Sequence, residues 1–235
     1  MYAPIQPYAG AQPFNDWFTP DTTQRHQLGL KLDAIDPFWG FGEFLYIKSN
    51  DAILKGSLVN VGDTFLGVLL PNVASQGFPV AVSTTNIPSG SYGWVQLSGK
   101  CVYKTNATVA ADAVVGITGA GILGAGVTTK FIYNVRNTKS ATATVTVNAN
   151  TVNGNNYVAT NGYDGFFLGM ALSGTGIPAS TVVAGLGQDG TTIKLGSAIG
   201  VFDKLATASG QIVLTGTYTG FGQGIISRPF CQGAV

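Results

Sequence analysis

Acid–base and nucleophilic chemistry draws most often on histidine, and this chain of 235 residues has one, His26. A Ser-His-Asp or Cys-His centre needs that base held by a rigid scaffold. His26 instead lies in a segment interrupted by Pro4, Pro7, Pro13, Pro20 and Pro37. A zinc site needs three or four converging His, Cys or acidic ligands, and His26, Cys101 and Cys231 are too few and too scattered. Asp33, Asp36 and Glu43 surround Pro37-Phe38-Trp39-Gly40. Paired carboxylates near aromatic rings equip a glycosidase, but acids beside Pro and Gly also serve turns by bonding the backbone. Asp164 before Gly165 and Asp189 before Gly190 read as turn residues on the same ground. Gly119-Ala120-Gly121-Ile122-Leu123-Gly124 matches G-x-G-x-x-G, which binds a pyrophosphate only where a helix begins. The continuation Ala125-Gly126-Val127-Thr128-Thr129 is a poor helix. Thr138-Lys139-Ser140 stands where an acidic ribose contact belongs. These residues point away from catalysis, and from a cofactor or metal; the expectation is a protein that is not an enzyme.

The elements available to position any site are strands. Glu43 is the only glutamate, and a protein of amphipathic helices needs many, because Glu, Lys, Arg and Gln fill exposed helix faces. Val, Thr, Ile, Tyr and Phe suit a pleated surface instead. Charged residues are 10% of the chain and the net charge is +1, against about 25% charged in ordinary soluble domains. The surface is therefore kept wet by Thr, Ser, Asn and Gln, or it is covered by partners. No basic block supports a grip on nucleic acid, and no apolar run of about 18 residues supports a membrane span. The start, MYAPIQPYAG, lacks a basic n-region and an apolar h-region, so synthesis in the cytoplasm is expected. Cys101 and Cys231 then read as free thiols.

Residues 1–40 are too rich in proline for a helix or central strand. They are also too aromatic for a free tail: Tyr2, Tyr8, Phe14, Trp17, Phe18, Phe38 and Trp39 punctuate them. An extended arm is expected, packed on its own domain or laced onto a neighbouring subunit. From 41 to 136, short apolar runs alternate with turn signals such as Gly62-Asp63, Pro71-Asn72, Pro88-Ser89-Gly90 and Ser98-Gly99. That spacing predicts a small β-barrel or sandwich; Ala107–Ala113 offers a turn of helix at most. Near Asn137 the composition shifts to Thr, Ala, Asn and Gly. Ala141–Val147 alternates with period two, Thr181–Ala184 and Thr191–Leu195 flank the turn Gly187-Gln188-Asp189-Gly190 as a hairpin, and Gln211–Thr215 is a further strand. The final residues return to the earlier character. The reading is all-β: a barrel or sandwich core over 41–136 plus 217–235, with a sandwich-like β-domain, 137–216, inserted in it. Two tandem domains with a short tail are the alternative.

Three segments, GEFLYIK (Gly42–Lys48), YGWVQLSG (Tyr92–Gly99) and IISRPF (Ile225–Phe230), together with Leu32-Asp33-Ala34-Ile35-Asp36-Pro37, resemble stretches of tailed-bacteriophage head decoration (cement) proteins. Leu172–Pro178 (LSGTGIP) resembles a β-module that recurs in phage structural proteins. The resemblance implies a virion structural protein on the exterior of the phage head, a β-barrel stabilising junctions between major capsid proteins. It implies a homotrimer, the major capsid protein as partner, and no catalytic residues. The inserted domain is not a fixed part of such proteins. The aromatic arm residues are then the expected capsid or subunit contacts. The rival expectation is a tail or fibre component whose second domain binds host glycans, with Tyr157, Tyr163, Phe166 and Phe167 as stacking rings.

Overall fold

The computed structural model describes residues 3–4, 19–36, 39–126, 128–139, 142–163 and 165–233. The protein is all-β, with no helix among the described residues. In chain order the first strands are β1 (Ala3–Pro4), β2 (Lys31–Asp36), β3 (Gly40–Ser49), β4 (Leu58–Val61), β5 (Leu66–Leu69), β6 (Val80–Ser83) and β7 (Tyr92–Lys104). Then come β8 (Val115–Gly119), β9 (Ile122–Ala125) and β10 (Ile132–Lys139). The series β11 (Thr142–Thr151), β12 (Tyr157–Thr160), β13 (Ala171–Ser173), β14 (Thr181–Leu186), β15 (Thr192–Gly196) and β16 (Gly210–Thr219) follows, and β17 (Phe221–Cys231) ends the order.

The chain divides into two compact units. The larger comprises the described residues of Tyr2–Ile35, Gly40–Thr142 and Gly220–Val235. The smaller contains the described residues of Asp36–Trp39 and Ala143–Thr219. The change of composition at Asn137 precedes this boundary, because β10 runs on to Lys139 and Asn137 is itself buried in the larger unit. Residues 217–219 likewise stay with the smaller unit as the end of β16.

In the larger unit, nine strands run in the order β1-β2-β3-β5-β4-β6-β7-β17-β10. A second pairing of β3 with β7 closes β3, β5, β4, β6 and β7 into a five-stranded ring. Leu45, Ile47, Val59, Ala81 and Val95 form one core cluster within it. Leu58 and Val82, the neighbours of Val59 and Ala81 in their strands, pack with Cys101 and Tyr103 of β7, Ile117 and Leu123 of the β8–β9 hairpin and Ile226 of β17 in a second. Adjacent residues of β4 and β6 thus face two cores; β3 and β7 read as continuous apolar runs because Phe44, Tyr46 and Trp94 are buried beside Leu45, Ile47 and Val95.

The Ser98-Gly99 pair, a turn by its residue types, lies inside β7. Glu43 pairs with Ser98 and Phe44 with Gln96, which leaves Leu97 as the extra residue of a bulge. Gly99 takes φ +103, and a Cβ there would stand 2.3 Å from the Phe41 carbonyl oxygen. The Gln96 side-chain amide donates to the Ser98 and Lys100 carbonyls at 3.0 and 2.8 Å, bracing the chain on the far side of the bulge. The strand can therefore bend, pairing with β3 along one half and with β17 along the other.

Of the arm expected over 1–40, residues 31–36 are a strand of this sheet. The run between Pro20 and Pro37 contains no proline, which permits it. Residues 107–113 form no helix. Asn137 anchors them instead, donating to the Val109 and Ala110 carbonyls at 2.7 Å and accepting from the Tyr103 hydroxyl.

The smaller unit closes as a six-stranded barrel, β11-β12-β15-β14-β13-β16, where the sequence suggests a sandwich. Closure leaves no sheet edge. Val158, Leu172, Ile193, Leu195, Leu214 and Tyr218 are buried. A Cβ at Gly216 would meet the Phe166 ring at 2.7 Å, so a glycine makes room for that ring. The hairpin foreseen around Asp189 is β14–β15; Asp189 accepts from the Thr191 and Thr192 amides at 2.9 Å. The Thr192 hydroxyl bonds the same carboxylate and holds its pKa below the ordinary range.

Candidate interaction surface

The residues that could do chemistry are occupied by structure. His26 packs edge-on to Tyr46, with ring centroids 5.0 Å apart, and lies 5.5 Å from Trp94. Asp21 accepts the Tyr46 hydroxyl at 2.8 Å and pairs with Arg25 Nε at 3.0 Å, and its backbone bridges Tyr92. Desolvation raises the Tyr46 pKa, and the neighbouring Asp21 raises it further. This cluster fixes residues 21–30 to β3 and β7. Glu43 receives a two-pronged contact from Arg228, at 2.6 and 3.2 Å. Asp33 is exposed on β2, Asp36 has no described side-chain placement, and Asp164 lies outside the described residues. Gly119–Gly124 spans the turn of the β8–β9 hairpin. Gly121 there accepts from the Leu58 amide and donates to the Leu70 carbonyl, a docking contact in place of a phosphate cradle. Among the described residues, no three His, Cys, Asp or Glu side chains gather as a metal site.

The three segments quoted for the phage resemblance meet in one row. Glu43 of β3 faces Ser98 of β7, and Ser98 faces Ser227 of β17. Arg228, at φ +47, then reaches back over β7 to Glu43. Their conjunction rests on strand pairing across 185 residues of sequence.

Beside this row the larger unit exposes apolar side chains. Phe78, Tyr133 and Phe230 are each 43% exposed. The Tyr133 and Phe230 rings lie 5.2 Å apart across β10 and β17. Pro79 is the backbone partner of Phe230, so Phe78, also exposed, stands opposite Cys231 and on the other side of the ladder from that pair. Ile225 is also exposed on β17. Phe230 forms one wall of a groove of about 600 Å³. Leu45, Phe65 and Leu97 line that groove, with Lys31, Asp63 and Arg228 at its polar positions.

Of the expected contact residues, Trp39 is half-buried in the turn before β3. Tyr2, Tyr8, Phe14, Trp17, Phe18 and Phe38 lie outside the described residues. Tyr163, Phe166 and Phe167 are core side chains of the barrel, while Tyr157 is exposed. The exposed pair Tyr133 and Phe230 escapes sequence reading because apolar residues occupy both parities of β17: Ile226 is buried and Ile225 exposed. No protein-family model, no curated protein and no solved structure matches the chain.

Proposed function

We propose that the protein is a virion structural component, a decoration or cement protein on the outer surface of a tailed-phage head. In this reading it stabilises junctions between major capsid proteins, assembles as a homotrimer and performs no catalysis. The observation that carries the reading is the exposed aromatic pair Tyr133 and Phe230, bordering the row where the three decoration-like segments converge. Rings paired at a surface and flanked by a groove have the composition of an interface hot spot. A chain with only 10% charged residues has little else with which to hold a partner. Repeated attachment over a symmetric shell multiplies contacts that are individually weak.

The test is co-sedimentation of purified protein with heads that lack it. Phe230→Ser combined with Tyr133→Ser replaces exposed rings, so the fold should survive. The expected result is a loss of head affinity of about thirtyfold or more, the scale of a hot-spot pair. Undiminished binding by the folded variant would overturn the assignment of this face.

A further inference from the structure

The barrel carries a second exposed aromatic arrangement, built differently. On its outer face Tyr157 of β12 pairs with Lys194 of β15, and Lys194 pairs with Gly185 of β14. The alternate residues Val158, Ile193 and Leu195 point into the barrel. Gly185 has no side chain, and the Phe202 ring occupies the space above it: a Cβ there would lie 3.0 Å from that ring. The row therefore reads ring, lysine, ring. Tyr157 is 41% and Phe202 44% exposed. Two strand spacings separate the backbones beneath the rings by roughly 10 Å. Lys194 Nζ stands 5.5 Å from the Phe202 centroid, and among the described residues it has no carboxylate partner. Asp203, the acid next to Phe202, is already engaged by the Ser197 amide and hydroxyl, both at 2.7 Å. Asn156 donates to the Phe202 carbonyl at 3.3 Å, which places its amide at the rim of the same platform.

We infer that the Tyr157–Lys194–Phe202 face of the barrel binds an acidic saccharide, with the rings stacked on pyranose faces and the Lys194 ammonium meeting a carboxylate or sulfate. The two rings supply flat apolar area with polar edges, which suits the C–H faces of a sugar ring. The uncompensated cation selects for a negative ligand. A peptide strand is disfavoured because β12, β15 and β14 are inner strands of a closed barrel and offer no edge to extend. A nucleic acid needs a basic track along its backbone, and one lysine between two rings is not a track. The site lies wholly on the barrel and does not depend on the capsid reading.

The test uses the full chain on an array of neutral and acidic oligosaccharides, including oligogalacturonates, sialylated and sulfated glycans, with single-stranded DNA and an acidic decapeptide as controls. Binding confined to acidic saccharides is expected. Tyr157→Ala or Phe202→Ala should each weaken it about fivefold to tenfold. Lys194→Met should remove the preference for acidic over neutral sugars. Raising salt from about 0.05 to about 0.5 M should weaken wild-type binding and leave the Lys194→Met variant little changed. Val213→Ser, at another exposed barrel position, should bind like wild type and reports on folding. No binding to any acidic saccharide, equal binding to neutral ones, preference for the DNA or peptide, or full affinity in the Tyr157 and Phe202 variants would each overturn the inference.

Discussion

Lys55 shows how much of this protein's chemistry is spent on folding. Its amide donates to Asn86 Oδ1 at 2.8 Å in the loop before β4, and burial of its amino group lowers the pKa to about 7. An unfolded lysine keeps its proton to about pH 10.4. Between those values the unfolded chain binds more protons than the folded one, so stability rises with pH. The buried thiols act with opposite sign. Burial raises Cys101 to about 12 and Cys231 to about 11, so the unfolded chain ionises first and stability falls above about pH 8.5. Urea unfolding should therefore give a free energy that rises from pH 7 to 8.5. The slope should vanish in Lys55→Met, and a flat wild-type profile would contradict it. The two thiols are not a disulfide pair: Cys101 faces Gly224, and Cys231 lies seven residues further along β17, roughly 20 Å by strand rise. At this scale the sequence shows what is missing, with one histidine and one glutamate. It does not show what is paired, since Asp21 with Tyr46 and Glu43 with Arg228 are joined only by the fold.

Strands covered on one face announced themselves and strands covered on both did not. The alternation in β16 is visible in the sequence as Ile212, Leu214 and Tyr218 inward. In β7 the Ser98-Gly99 pair reads as a stop because a bulge and a turn call on the same residue types. Closure of the barrel was hidden for a similar reason, since a sandwich strand and a barrel strand carry the same period. The shift in composition near Asn137, by contrast, falls a few residues before the main stretch of the smaller unit. Lys139 of β10 faces Gln223 of β17, so both ends of the inserted unit leave one antiparallel ladder. Deleting residues 142–219 then joins neighbouring strands through a short loop. The shortened chain should keep a cooperative unfolding transition and the Tyr46–Asp21 contact, read by denaturant titration and near-ultraviolet circular dichroism. Loss of cooperativity would show that the larger unit depends on the barrel for folding.

At the scale of the whole molecule, low charge and exposed rings belong to one description. With few ions at the surface, exposed rings are prominent there: Phe41, Phe78, and the paired Tyr133 and Phe230 on the larger unit, and Tyr157 and Phe202 on the barrel. The sequence singles out Tyr157 but neither its neighbour Phe202 nor the Tyr133–Phe230 pair, because exposure depends on which strand lies beside which. The all-β class was legible, because it follows from residue types alone. The proposed setting on a phage head is tested most directly by averaged images of virions with the protein, without it, and with the Phe230→Ser, Tyr133→Ser variant. The account predicts density at junctions between major capsid proteins that disappears on deletion, returns with wild type and fails to return with the variant. Density confined to the tail, or a head unchanged by deletion, would contradict it.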